Sequence, residues 1–399
     1  MSERLRVIVA AIGWTGHAFP AIALARELHR RGHAVTVETF ERWRAVVEEL
    51  GPRFLAAPEQ IRFGETGPQA GPTLAEAARK LAPTLEGLRP QVVVSDLFAL
   101  APALAAERAQ IRRASLIPHP FPAHEPGLPL YPLGLLPPRT RAGGLAWRAA
   151  WPLVGSRLPN TRLARVRAEL DRNRAELGLG PLGRYDGQIS DELALVATFP
   201  QLEYPRRWPR SARVTGPLPF ELPHPEVELP RGSGPLVLVA SSTERDPEQR
   251  LIRVTLEALE HEPVRVIATT NRRREAFTGP VPANARVVDW LSYARVIPPA
   301  AVVVCHGGHG TITRALAEGV PLLVSPPAGD MAENGARVAW SGAGLMLPDR
   351  LLRAASLRPA VRRLLSDRRF AARAGAIATW GRGNDGPAVA AELVERLAR

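Results

Sequence analysis

Residues 301–335 read AVVVCHGGHGTITRALAEGVPLLVSPPAGDMAENG. The apolar run Ala301 to Cys305 suits a strand buried on both faces. Past the glycines, Ile312, Ala315 and Leu316 recur at three-to-four spacing and predict a helix, which Gly319 ends and Pro321 prevents from continuing. Leu322 to Val324 returns as a strand that stops at Pro326. The unit is therefore strand, glycine turn, helix, strand. A plain connection could use these glycines only to turn the chain. The same turn also lets backbone approach a ligand closely and aims unpaired N–H groups outward, a geometry that suits a diphosphate. His306 and His309 raise a metal reading. It is rejected because no Glu follows His306 in a His-Glu-x-x-His pattern, and neither histidine has a carboxylate at ligand spacing.

His306-Gly307-Gly308, Gly310-Thr311, Gly319-Val320-Pro321, Pro326, Asp330 and Asn334 together resemble the donor-sugar signature of family 1 nucleotide-sugar glycosyltransferases. Upstream, Val288-Asp289-Trp290-Leu291 is similar to the opening of that signature, and the resemblance extends more loosely over nearly the whole chain. It implies the GT-B fold, in which two Rossmann-like doubly wound parallel-sheet α/β domains face a cleft. It further implies that Trp290 stacks on the donor base while the Leu291 backbone reads the base edge. His306 and the amides of Gly308, Gly310 and Thr311 would face the diphosphate, and Asp330 and Met331 the sugar. Ser242 and Thr243 would lie near the phosphates, with Ser241 standing where relatives usually have glycine.

The chain begins in the same idiom. Arg6 to Ile12 is an apolar run, Gly13 to His17 a turn, Ala18 to Arg31 an amphipathic helix, and Ala34 to Phe40 a second strand. This βαβ opening signals a doubly wound parallel sheet. His17 lies in the first turn, within Gly16-His17-Ala18-Phe19-Pro20, where the resemblance implies a general base. Imidazole ionises near neutrality and can take a hydroxyl proton without costly ionisation. Asp96 ends another buried strand, Gln91 to Ser95, and is implied to orient that base. Residues 117–159 are crowded with proline and read as a long irregular segment. Its aromatics Phe121, Tyr131 and Trp147, together with Trp14 in the first turn, are candidates for an acceptor pocket.

At 399 residues two domains are expected. The first spans 1–216, a Pro/Gly-rich linker 217–234, the nucleotide-sugar domain 235–380, and a final helix, 381–399, crosses back onto the first domain. No run of eighteen apolar residues occurs and the N-terminus lacks a small-residue cleavage site, so a cytoplasmic protein without a membrane span is expected. The single cysteine, Cys305, excludes an internal disulfide. A net charge of +13 calls for an acidic partner, but the basic residues are scattered and no recognition motif appears, so nucleic acid is not expected. An anionic donor also uses that charge, and a homodimer is compatible with it.

The reading is a metal-independent, cofactor-free inverting glycosyltransferase whose partners are a nucleotide-sugar and a hydrophobic small-molecule acceptor. The alternatives are a C-glycosyl or glycolipid transferase on the same fold, and a nucleotide-sugar binder or epimerase that transfers nothing. Two departures from the family pattern bear on the donor. Arg314 replaces a glutamate that binds ribose, and Met331 replaces the glutamine usual in glucose users. Both favour a thymidine diphosphate deoxysugar over UDP-glucose.

Overall fold

The computed structural model describes residues 4–63, 70–123, 125, 127–129, 131, 133–138, 140–157, 162–182, 189–224, 226–242, 246, 248–271, 277–327 and 329–399, with side chains described outside 150–164. Strands β1 (Arg6–Ala10), β2 (Ala34–Thr39), β3 (Arg53–Ala56), β4 (Val92–Asp96), β5 (Arg112–Ile117), β6 (Leu193–Val196) and β7 (Ala212–Val214) form one sheet in the order β3-β2-β1-β4-β5-β6-β7. Every pairing in it is parallel. Alternate residues serve opposite faces. Val7 and Val9 join a core with Leu24 and Leu28 of the helix Thr15–Arg30, while Ile8 packs with Leu74 and Leu85 of the helix Leu74–Leu88. Burial on both faces is why these strands read as continuous apolar runs.

A second sheet contains β8 (Leu236–Ala240), β9 (Arg265–Thr269), β10 (Ala285–Val288), β11 (Ala300–Cys305), β12 (Leu322–Val324) and β13 (Gly344–Met346), in the order β10-β9-β8-β11-β12-β13. It too is wholly parallel. In each sheet the strand order reverses once, between β1 and β4 and between β8 and β11. Ligands of doubly wound sheets bind beyond the strand C-termini at that reversal. His17 follows β1 and Asp96 ends β4, whereas Ser241 follows β8 and His306 follows β11. The polar residues read from the sequence thus gather at the two reversal points. The two doubly wound parallel sheets are those the sequence predicts.

The chain returns to the first sheet at its end. The helix Gly386–Ala398 places Ala390, Ala391 and Val394 in the core beside Leu24 and Leu28. Glu395 accepts from His33 at 2.9 Å and pairs with Arg31 at 3.3 Å. Where this helix crosses the linker, a side chain at Gly386 would lie 2.1 Å from the Pro217 carbonyl, so only glycine fits.

Two elements differ from the sequence reading. The first helix begins at Thr15, ahead of Ala18, so His17 sits in the first turn of a helix and not in a loop. The segment after β5 is not wholly irregular, because Arg141–Arg157 is a 17-residue helix. Gly143 and Gly144, poor helix formers, obscure its period in the sequence.

Candidate active site

His17 and Asp96 are 79 positions apart, and the fold brings them to a hydrogen bond of 2.8 Å between Nδ1 and Oδ2. Both rise from the same sheet face, since Asp96 lies on the side of β4 that packs against the helix carrying His17. Asp96 is buried, and its other oxygen accepts from the Phe98 amide at 3.0 Å, which fixes the carboxylate plane. A carboxylate only accepts, so Nδ1 of His17 carries the proton and Nε2 keeps a lone pair. Burial opposes the charged imidazolium, but the charge and hydrogen bond of Asp96, aided by Asp330, outweigh it and raise the His17 pKa above its ordinary value.

Trp14 and Phe98 stand edge-on to the His17 ring, with centroids at 6.3 and 5.0 Å. They are 57% and 50% exposed, so His17 opens toward an apolar rim. Leu133, Leu135 and Leu136 are also exposed, on the segment that follows Tyr131. Tyr131 stacks on His119 with centroids 5.5 Å apart. Asp330 and Glu333 of the second sheet's helix Asp330–Ser341 act on the Tyr131 hydroxyl, whose pKa burial drives well above its ordinary value.

On the opposite side, the helix His309–Ala317 starts directly from the glycine turn, with Gly308 as its N-cap. Gly307 has φ of 98°, and a side chain there would lie 2.8 Å from the Met331 carbonyl. Asn334 donates to the Gly307 carbonyl at 2.9 Å and so anchors the turn to the helix that carries Asp330 and Met331. The Thr311 amide already donates to Gly308 at 3.1 Å, which leaves the amides of His309 and Gly310 as the leading unpaired donors. His306 donates from Nδ1 to the Ala240 carbonyl at 3.1 Å, and burial lowers its pKa, so the ring is neutral here.

Several predicted residues take other places. Phe121 is 1% exposed, within a core cluster with Leu97 and Ile117 and under the Arg206 guanidinium at 4.6 Å. It has no face left for an acceptor. Trp147 donates to Leu128 at 3.3 Å, bracing the segment it belongs to. Ser241 gives its hydroxyl to the Thr269 and Thr270 carbonyls, both at 3.1 Å, so it braces strand ends; Ser242 beside it is buried. Thr243 lies outside the described residues. Trp290 is half-buried and its indole N–H donates to His224 of the linker, while Leu291 is buried in the second core. Arg314 donates to the Phe220 carbonyl and lies over the Tyr293 ring at 5.5 Å. Among the described residues, no group of three or more His, Cys, Asp or Glu is placed to hold a metal ion, and no helix is long and apolar enough to cross a membrane.

With this geometry, a single relative is decisive. 4'-Demethylrebeccamycin synthase of Lentzea aerocolonigenes is 31% identical over 425 aligned residues, which cover 98% of this chain and 99% of that one. The chain belongs to the family 1 glycosyltransferases of natural-product type. Family profiles agree along its length: residues 7–114 match the glycosyltransferase family 28 N-terminal domain, and residues 253–397 the erythromycin biosynthesis protein CIII-like C-terminal domain. O-Mycaminosyltylonolide 6-deoxyallosyltransferase of Streptomyces fradiae is 27% identical, with 97% of this chain and 94% of that one covered. The crystal structure of the glycotransferase of kitacinnamycin shares the GT-B fold, with a TM-score of 0.78, 22% identity and full coverage of both chains. Sequence reasoning passed over two residues beside these side chains. Arg337 is buried between Glu203 at 3.0 Å and Glu333 at 2.8 Å, over the Tyr204 ring at 3.7 Å, and so ties the Asp330–Ser341 helix to the segment that follows β6. His119 is the other. Its only signal in the sequence was a histidine between prolines just beyond β5, one strand along the edge from Asp96.

Proposed function

We propose that this glycosyltransferase moves a sugar from a nucleotide diphosphate to a hydroxyl of a hydrophobic small molecule, with inversion at the anomeric carbon. One observation carries the reading: the 2.8 Å hydrogen bond between His17 and Asp96 at the reversal of the first sheet. Nε2 of His17 takes the acceptor proton as the acceptor oxygen forms its bond to the anomeric carbon. The bond from that carbon to the diphosphate oxygen breaks, and its electron pair leaves with the diphosphate. Asp96 stabilises the imidazolium that forms. The leading amides of the His309–Ala317 helix stabilise the departing charge, the work a divalent cation performs in other enzymes. His306 can add to this by taking a proton at Nε2 when the diphosphate is present. Trp14, Phe98, Tyr131 and the leucines of the 133–136 segment supply an apolar acceptor surface.

On the donor side, Arg314 is turned to the Phe220 carbonyl and offers no acceptor to a ribose hydroxyl. Met331 presents apolar surface beside Asp330, which a sugar lacking a hydroxyl there matches better than glucose. The relative whose name specifies 6-deoxyallose transfer is consistent with a deoxysugar donor. Nucleotide diphosphate release from TDP- and UDP-sugars, measured with and without a mixture of hydrophobic acceptors, tests the reading. Release should require acceptor and should fall about 10²- to 10⁴-fold in His17→Ala, the range for a lost general base. Acceptor-independent release or near-normal turnover of His17→Ala would refute the mechanism. Better specificity constants for UDP-glucose than for matched TDP-deoxysugars, with Met331→Gln as control, would refute the donor assignment alone.

A further inference from the structure

A second imidazole, that of His119, lies in the cleft. Asp96 pairs in register with Leu116, so His119 stands three residues beyond that level on the neighbouring strand's exit. Its charge state is sensitive to His17, Asp330 and Asp96, and His309 of the glycine turn is sensitive to it in return. The register sets His119 on the same sheet edge as Asp96, and Nε2 of His309 reaches back to within 3.3 Å of the Ala197 carbonyl just beyond β6, the next strand along. The residue is only 6% exposed, and its ring stacks on Tyr131 at an interplanar angle of 24°.

The tautomer follows from the partners. Nδ1 lies 2.8 Å from the Pro120 carbonyl oxygen, which can only accept, so Nδ1 holds the ring proton. The Tyr131 hydroxyl, 3.3 Å from the same nitrogen, shares that side of the ring. Burial lowers the pKa of His119, and a neutral ring with its proton on Nδ1 keeps a lone pair on Nε2. Among the described residues nothing donates to that lone pair. Nε2 is not among the buried side-chain nitrogens and oxygens left without a partner, so its lone pair is open to water or a ligand. While the ring is neutral, that lone pair repels a phosphate oxygen. What it takes is an O–H.

We propose that His119 is a specificity-determining residue that accepts a hydrogen bond from a second hydroxyl of the acceptor, next to the hydroxyl from which His17 takes the proton. This rests on the transferase reading above and narrows its substrate class to acceptors with two neighbouring hydroxyls. A hydroxyl of the donor sugar is the competing partner. The acceptor is favoured because His119 and Tyr131 ride on the first sheet's edge with His17, whereas the sugar side belongs to Asp330 across the cleft.

The probes are 7-hydroxy-4-methylcoumarin and 7,8-dihydroxy-4-methylcoumarin, with affinities read from their fluorescence on titration. The unmodified enzyme should bind the dihydroxy compound about tenfold more tightly, the worth of one net hydrogen bond. His119→Phe keeps a flat ring against Tyr131 but has no lone pair. It should lose the preference and keep its affinity for the monohydroxy compound. His119→Gln, whose amide oxygen can replace Nε2 as acceptor, should retain it, and His119→Leu stands in if the Phe variant fails to fold. A general loosening of structure would weaken both coumarins alike. Equal affinity of the unmodified enzyme for the two compounds, absence of binding by both included, overturns the proposal, as does a preference that survives in His119→Phe. In a second arm, calorimetry compares TDP-glucose with its 2-deoxy, 4-deoxy and 6-deoxy forms. If His119→Phe changes donor discrimination and leaves the coumarin ratio alone, the hydroxyl belongs to the sugar and the acceptor assignment falls. Failure of the transferase reading would show separately, as acceptor-independent nucleotide release by the unmodified enzyme.

Discussion

Asp96→Asn isolates what the carboxylate does for the base, because the two side chains have the same shape. In the native protein Asp96 is wholly buried and meets His17 Nδ1 at 2.8 Å, while its second oxygen is held by the Phe98 amide. Asparagine keeps that volume but carries no charge. The imidazolium formed as the acceptor proton moves then loses a charge-assisted hydrogen bond of about 1.5–3 kcal/mol. At 1.36 kcal/mol per tenfold, turnover should fall about 10- to 150-fold. The pH dependence should move as well. His17 works when neutral, so the rate climbs as pH rises through its pKa, which Asp96 holds above 6.5 against burial. Without the carboxylate, burial dominates and the pKa drops, so the rising limb of the profile should shift to lower pH while its plateau is lowered. Initial rates between pH 5 and 9 with saturating donor measure both effects. An unchanged plateau, or a limb displaced to higher pH, would refute the pairing as the source of His17 basicity.

Trp290→Ala should weaken binding of both intact donor and free nucleotide by about 1–3 kcal/mol, the worth of base–aromatic stacking, as read by calorimetry. Arg337→Met strands the buried carboxylates of Glu203 and Glu333, and should cost about 3–5 kcal/mol in urea unfolding. Those carboxyls relieve the loss by taking up protons, so the deficit should be smaller at pH 5 than at pH 8. Glu38, at the end of β2, has its pKa pushed from 4.5 to about 8 by burial. Between those values the folded state holds a proton that the unfolded state has released, so stability falls as pH rises through this window and levels off above about 8. Glu38→Gln should remove this slope, which urea midpoints at pH 5, 6.5 and 8 would show.

Local sequence determined a good deal here. The runs Arg6–Ala10, Leu236–Ala240 and Ala300–Cys305 are buried on both faces, and a strand of that kind has no polar face to confuse its reading. The glycine turn was legible because a positive φ at Gly307 and a backbone approach to Met331 leave no room for another residue type. His17 and Asp96 were legible because one follows the turn after an unmistakable strand and the other ends one. The segment beyond β5 was not. Phe121 carries the same aromatic signal whether it faces a cleft or a core, and only packing under Arg206 decides between them. The helix Arg141–Arg157 forms despite its paired glycines, whose propensity deficit of about 1 kcal/mol each hides it from a local reading. Arg337 reads in sequence as one surface arginine among many, until the fold encloses it between Glu203 and Glu333. The tautomer of His119 is set by a carbonyl and a hydroxyl whose positions depend on the chain around them. Strand and turn identity are encoded within a few residues, where backbone sterics and burial period act. Which side chains meet across the cleft depends on two sheets placed by the whole chain, and no local pattern carries that.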